Sequence, residues 1–195
     1  MSAALLSLDA VVAGYHQPVV GPVSFAVAAG EIVGVVGPNG CGKSTLLRAL
    51  VGAARLFSGR VSRAPDLVLS IQNQQQPPLD GVPLTGRELL ALTDATPAGL
   101  PPWLAGRLDE RLDRLSGGQR QYLSLWASLG AAADLVILDE PTNNLDPAGV
   151  GHLVDVLRAQ AATGRAFLVV SHDADFLASA CSRREALPLS GARPS

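Results

Sequence analysis

EIVGVVGPNGCGKSTLLRALVG, residues 31–52, is the stretch that decides the fold. It opens with Glu31-Ile-Val-Gly-Val-Val36, a short apolar run of the kind that lies buried on both faces inside a parallel sheet. Leu46 to Val51 then has helical spacing, with Ser44 or Thr45 near its start and Gly52 at its end. A strand, a glycine-rich turn and a helix therefore follow in order. Upstream, residues 5–12 and 23–36 carry strand-like apolar runs separated by a turn-forming segment from Gly14 to Pro22, which predicts an antiparallel start to the fold. Downstream, strand patterns return at Leu135–Leu138 and Phe167–Val170, with a helix from about Pro147 to Ala161 between them, a parallel crossover unit. Between about Gln72 and Leu115 the composition shifts, first Gln- and Pro-rich, then with short helical patterns at Thr85–Leu92 and Leu104–Leu115. The expectation is one α/β domain over residues 1–195 with a mostly parallel sheet, an N-terminal antiparallel β subdomain and a short inserted helical subdomain at about 76–130.

Composition narrows the class of function. A chain of 195 residues that is 48% apolar can bury a sizeable core. Its formal net charge of -2 and the lack of any basic run longer than Arg183-Arg184 give no footprint for a nucleic acid backbone. The longest apolar stretch, Tyr122 to Leu138, is interrupted by Ser124, Ser128, Gly130 and Asp134, and reads as a buried helix followed by a buried strand, not a membrane span. The first ten residues have no basic region ahead of their apolar residues, so no secretory signal and a cytoplasmic location are expected. Two cysteines, Cys41 and Cys181, fit a reducing compartment and lack metal-ligand spacing.

The turn in the opening stretch, Gly37-Pro38-Asn39-Gly40-Cys41-Gly42-Lys43-Ser44, satisfies the phosphate-loop pattern and stands between strand and helix, the context that gives such a match its meaning. Glycines let the backbone wrap a polyphosphate and aim several N–H groups at it, and the helix beginning near Lys43 adds its positive end. Lys43 is expected to hold the β and γ phosphates and Ser44 to ligate Mg2+. Thr45 either contacts an α-phosphate oxygen or caps the helix. Leu135-Val-Ile-Leu-Asp-Glu140 ends a buried strand with two acids, whose side chains point to opposite sides if the strand persists through both. Asp139 then suits holding Mg2+ through the ion's own waters, and Glu140, at the strand's edge, suits polarising an attacking water.

Leu115-Ser-Gly-Gly-Gln119, taken alone, is a glycine-containing turn with Ser116 at an N-cap before a helix at Gln119–Leu129. Beside the phosphate loop it resembles the signature motif of the ATP-binding cassettes, a family built on a P-loop NTPase core. That resemblance implies that Ser116, Gly117, Gly118 and Gln119 engage the γ-phosphate of ATP held by the opposite subunit of a head-to-tail homodimer. It extends along the chain in the family's order. Tyr15 resembles the aromatic that stacks on adenine. Gln74, in Ile71-Gln-Asn-Gln74, resembles the loop glutamine that reaches Mg2+ and the attacking water, placed by its distance to Pro83-Leu-Thr85. Asn144-Leu-Asp146 is similar to the loop that contacts the other subunit's phosphate loop, and Ser171-His172 to the switch histidine at the γ-phosphate. His16 and His152 have no counterpart. Two features depart from the family: where it usually carries a Gln-Arg pair and later Ala-Arg-Ala, this chain has Gln121-Tyr122 and Trp126-Ala-Ser128, and the helical insert is short. After His172 there is room for a helix and a strand-like Arg184–Leu189.

The resemblance implies an ATPase that drives a separate integral membrane permease from the inner face of the membrane, itself uninserted. A cassette acting on the ribosome or nucleic acid is the alternative, because Asn143-Asn-Leu-Asp146 is similar to a form found in twin-cassette translation factors. Those carry two cassettes joined by a charged linker, and this sequence has one cassette and no such linker. Long heptads of the DNA-repair type do not fit between Gln74 and Ser116. Pro83-Leu-Thr-Gly-Arg-Glu-Leu-Leu90 resembles the matching segment of zinc and manganese uptake cassettes.

Overall fold

The computed structural model describes residues 4–72 and 83–188. In chain order, β1 (Ala4–Gly14) and β2 (Pro18–Ala28) form a hairpin, and β3 (Ile32–Val36) leads through the glycine-rich turn into α1 (Lys43–Leu50). Two strands follow, β4 (Arg55–Arg63) and β5 (Leu69–Gln72). The insert holds α2 (Gly86–Ala91), α3 (Pro102–Ala105), a 3-10 turn at Leu112–Arg114 and the longer α4 (Gly117–Gly130). The chain then runs through β6 (Leu135–Asp139), α5 (Pro147–Ala162), β7 (Ala166–Val170), α6 (Ala174–Ala180) and β8 (Arg183–Ala186). Strands assemble into an antiparallel sheet ordered β2-β1-β4 and a sheet ordered β5-β6-β7-β3-β8. Every pairing in the five-stranded sheet is parallel. Among the described residues no helix is long and apolar enough to cross a membrane.

The pleat of the parallel strands divides the core. Leu135 and Ile137 of β6 and Leu168 and Val170 of β7 face one way, where they pack with Leu46, Leu47 and Leu50 of α1 and with the antiparallel sheet. Val136, Leu138, Phe167 and Val169 face the other way, against Leu153 and Leu157 of α5, Phe176 of α6 and Leu125 and Leu129 of α4. Alternate residues of one strand thus serve two layers, which is why β3, β6 and β7 read as unbroken apolar runs. A third cluster belongs to the insert, where Leu90, Leu104, Leu108, Leu112 and Leu115 close on Leu123 and Trp126 of α4.

Several boundaries differ from the sequence expectation. The first turn is confined to residues 15–17, because β2 already begins at Pro18. Both prolines of that segment are tolerated as strand because β2 is an edge strand, where a missing N–H leaves no ladder partner unmet. The expected run 23–36 splits at Gly30, whose φ of 78° is a left-handed conformation. The exposed β4 has no apolar alternation to announce it. Leu104–Leu115 is not one helix: α3 ends at Gly106, and Leu104, Leu108 and Leu112 reach the core through turns. The antiparallel sheet, the parallel sheet and the helical insert themselves stand as expected.

Both principal insert helices start with reciprocal caps. Thr85 accepts from the Glu88 N–H, and Glu88 accepts from Thr85 in return. Ser116 and Gln119 do the same for α4, so that helix starts two residues before the expected Gln119. Its far end is pinned by contact: a Cβ on Gly130 would lie 2.2 Å from the Ala95 Cβ and 2.7 Å from its Cα. Gly130→Ala is expected to destabilise the insert by about 1–3 kcal/mol through overpacking. For a chain of this size that lowers the melting temperature by roughly 2–12 °C. A thermal melt that does not move shows that α4 does not approach Ala95 this closely.

Candidate active site

The C-terminal ends of β3, β6 and β7 lie side by side, and the residues just beyond them are those the sequence singles out. Val35 pairs with Val170, and Asp139 pairs with the same Val170 from the other side. From this edge β3 runs into Gly37–Gly42, β6 into Asp139 and Glu140, and β7 into Ser171 and His172.

Glycine is required in the loop for two distinct reasons. Gly40 and Gly42 have φ of 81° and 96°, in the left-handed region. At Gly42 there is also no room, since a Cβ would sit 2.6 Å from the Val20 Cβ on β2. Gly42 is the N-cap of α1 and offers no side-chain cap, so neither Ser44 nor Thr45 caps the helix. The first-turn N–H groups are left for an external acceptor, which the helix's positive end favours if it is anionic. Cys41 is buried in the core beneath the loop. Lys43, only 8% exposed, folds back so that its Nζ donates to Gly37 O at 2.8 Å and Pro38 O at 3.1 Å. Its charge is thereby held across the loop it is expected to serve.

Asp139 is buried, and its Oδ1 has no hydrogen-bond partner among the described residues. Burial pushes its carboxyl above the ordinary aspartate range, opposed by a hydrogen bond from Ser44, reinforced by the charge of Glu140, and opposed again by Arg48 and Lys43. An orphaned carboxylate oxygen of this kind is what a cation held between Ser44 and Asp139 requires. Glu140 departs from the strand geometry assumed for it. β6 ends at Asp139, and Glu140 takes φ of 51°, a left-handed backbone rare for its type. Its N–H donates to Val170 O at 2.8 Å, and its Oε2 accepts from the His172 N–H at 3.3 Å and lies 2.9 Å from His172 Nδ1. The imidazole is 67% exposed and the carboxylate 11%, so the histidine stands outward over a sheltered acid. Tyr15, exposed in the turn after β1, receives a hydrogen bond at 2.7 Å from Arg48 of α1.

The second group of candidates gathers at the start of α4. Ser116 and Gln119 bond to one another, and Gln119 Oε1 also accepts from Arg107 at 2.6 Å. None of their hydrogen bonds reaches the phosphate loop of the same chain. Ser116 and Gly117 are exposed, and a Cβ at Gly117 would meet nothing within 4 Å. Gly118 instead lies against the following loop, where a Cβ would fall 2.5 Å from Asn144 O. Asp146, expected to face another subunit, caps α5 by accepting from the Gly149 N–H at 2.7 Å.

Gln74 lies outside the described residues. Its neighbour Gln72, which ends β5, is buried with neither amide atom hydrogen-bonded among the described residues. Sequence reasoning passed over Arg48 and Arg107. Only the fold brings them to Tyr15 and Gln119.

A raised carboxyl has a consequence for stability. The unfolded chain ionises Asp139 at its ordinary value while the folded chain resists, so the penalty is absent at low pH and grows as pH rises through the ordinary aspartate range. Asp139→Asn is therefore expected to raise the melting temperature at pH 7.5 without nucleotide, while losing Mg2+-dependent nucleotide binding. Calorimetry and nucleotide titration check both halves. A variant less stable than the parent at that pH contradicts the electrostatic reading.

This geometry has close parallels. The ABC transporter family matches residues 20–143. The zinc import ATP-binding protein ZnuC of Paracoccus denitrificans is 42% identical over 172 residues, covering 82% of this chain and 66% of that protein. ZnuC of Marinobacter nauticus is 33% identical over 190 residues, covering 94% of this chain and 74% of that protein. Among solved structures, an ATP-binding subunit of an ABC transporter superposes with a TM-score of 0.81 at 26% identity, covering 95% of this chain and 87% of that one. By these matches the chain belongs to the ABC transporter family, as one of its ATP-binding ATPases.

Proposed function

We propose that this chain hydrolyses ATP as a head-to-tail dimer to drive a separate membrane permease, and that the cargo is zinc or manganese taken into the cell. The observation that carries the catalytic part is the buried, unpartnered Asp139 oxygen beside Ser44, under a loop already spanned by Lys43. In this reading Gly37, Pro38, Asn39, Gly40, Cys41 and Gly42 wrap the phosphates with backbone N–H groups. Lys43 exchanges its two carbonyl partners for β- and γ-phosphate oxygens, and Thr45 faces the α-phosphate. Mg2+, when bound by Ser44 and approached by Asp139 and Gln74, neutralises charge that builds on the phosphate oxygens.

Glu140 orients and deprotonates the attacking water. His172 already binds the Glu140 carboxylate, so the two respond together when a γ-phosphate arrives. Tyr15 stacks on adenine with its ring held by Arg48. The exposed Ser116 and Gly117, with Gly118, Gln119 and Asp146, serve the ATP of the opposite chain. Residues 1–195 act as one domain, its helical insert at about 76–130 receiving the permease, and the chain sits peripherally at the inner face of the membrane. Support for the cargo comes from the zinc import relatives and from Pro83–Leu90.

Glu140→Gln keeps the shape of the side chain but cannot take a proton, and is expected to bind ATP normally while hydrolysing at least a hundredfold more slowly. ATP-bound dimers then accumulate on size exclusion in Mg-ATP; hydrolysis at the parent rate removes Glu140 from the role. Purification from native membranes is expected to recover a multispan protein crosslinked near residues 75–92. Recovery of ribosomes, with no membrane protein, overturns the transporter reading.

A further inference from the structure

Tyr122 stands on α4 where the family usually carries an arginine, Trp126 opens the segment Trp126-Ala-Ser128 that stands in place of Ala-Arg-Ala, and the structure shows what these aromatic side chains do. Gly118, Tyr122 and Trp126 are spaced one helical turn apart and form one stripe of α4. The stripe lies along the loop before α5 and along α5 itself. Gly118 meets Asn144 O, Tyr122 packs beside Gly149, and Trp126 lies 6.0 Å from the His152 ring, centroid to centroid. The Tyr122 ring is 5.8 Å from that of His152, 6.4 Å from Trp126 in a stacked arrangement and 5.3 Å from Trp103 edge-on. Trp126 is fixed in turn by donating from Nε1 to Thr96 O at 2.8 Å.

A second polar contact joins two rings of this cluster to each other. Tyr122 is fully buried, and its hydroxyl is hydrogen-bonded to His152 Nδ1. Burial pushes the phenol well above its ordinary range, so it remains an O–H donor. The neutral phenol donates to His152 Nδ1 in one imidazole tautomer and accepts from it in the other, so the contact persists in both. A buried hydroxyl with one partner among the described residues tolerates little sliding between the two helices, since a slip breaks that bond.

We propose that Tyr122 and His152 are positioning residues that clamp α4 to α5, so that the Ser116–Gln119 turn and the Asn144–Asp146 loop are presented to the opposite chain as one rigid surface. The assignment rests on the shared-site dimer proposed above. Neither residue is among those proposed to hold the nucleotide. Each acts through the helix it locks, Tyr122 two turns into the helix that Ser116 caps and His152 two turns into the helix that Asp146 caps.

The test uses the full purified chain and compares Tyr122→Phe, His152→Leu, the double variant and His152→Asn for kcat and KM of ATP hydrolysis, with thermal melts alongside. Tyr122→Phe is expected to lower kcat about fivefold, the factor that loss of one such hydrogen bond corresponds to, with KM within twofold of the parent. The double variant should fall no further than either single, because both remove the same contact. His152→Asn, which can offer an amide oxygen in place of Nδ1, is expected to recover at least half the parent rate. Parent-level kcat in both singles, or losses that multiply in the double, overturn the clamp. If Tyr122→Phe proves unfolded at the assay temperature, His152→Leu and His152→Asn, at a partly exposed position, make the same comparison. ATP-dependent dimerisation in a Glu140→Gln background separates the two layers of the argument. No dimer in that parent overturns the shared-site reading, whereas dimers equally strong with and without Tyr122→Phe overturn the clamp alone.

Discussion

Parallel strands release their chains at one common edge, and the register between β3, β7 and β6 fixes what meets there. Val170 is paired with Val35 on one side and Asp139 on the other, so the three chains leave the sheet within a residue or two of one another. A one-residue slip of β6 would exchange the buried faces of Leu135, Ile137 and Asp139 with those of Val136 and Leu138. Such a slip would turn a carboxylate into the packed layer beneath α4 and α5. The double-sided core forbids it, because both layers are filled by alternate residues of the same strand. The geometry of the site is therefore a consequence of core packing.

That edge concentrates charge where little water reaches. Lys43 and Asp139 are both nearly buried, yet they are not paired with each other in any ion pair among the described residues. Lys43 satisfies its Nζ with backbone carbonyls, and Asp139 leaves an oxygen unmet. A pair that neutralised itself would have little left for an anionic substrate or a cation. Glu140 avoids the same burden by turning left-handed at the end of β6, which brings its carboxylate to His172. The strain of that backbone is of the sort that accumulates at functional sites.

How much of this was legible follows from the range of each cause. The glycine-rich turn between β3 and α1 could be read because its requirements are local: left-handed backbone at Gly40 and Gly42, a strand before it and a helix after it. The acids at 139 and 140 could be read as a pair, but not the break between them, since the left-handed Glu140 depends on β7 receiving its N–H. The exposed β4 carries no alternating pattern, and its strand comes from pairing with β1. Leu104–Leu115 kept its buried leucines and lost its helix, because burial repeats at helical spacing do not specify a continuous backbone across Gly106. Of the two alternatives for Thr45, the helix cap is not the one found: Gly42 is the N-cap of α1, and no side chain fills the N–H groups there.

The longest-range features were invisible for a different reason. Nothing in the spacing of Tyr122 and His152 marks them as partners, since 30 residues and the whole of β6 separate them. In sequence, Tyr122 in place of an arginine and Trp126-Ala-Ser128 in place of Ala-Arg-Ala read as a loss of charge and of connection. In the fold it is an exchange of means. Arginines join helices through forked, solvent-tolerant hydrogen bonds, whereas a buried phenol and stacked rings join them through shape and one desolvated contact. Arginine has not left the region either, because Arg107 bonds the signature cap through Gln119 and Arg120 donates to Leu115 O. Charge holds the exposed turn and aromatic packing holds the helix behind it. The exposed turn is thus tied by contacts that survive in water, and the helix behind it by contacts that require its absence.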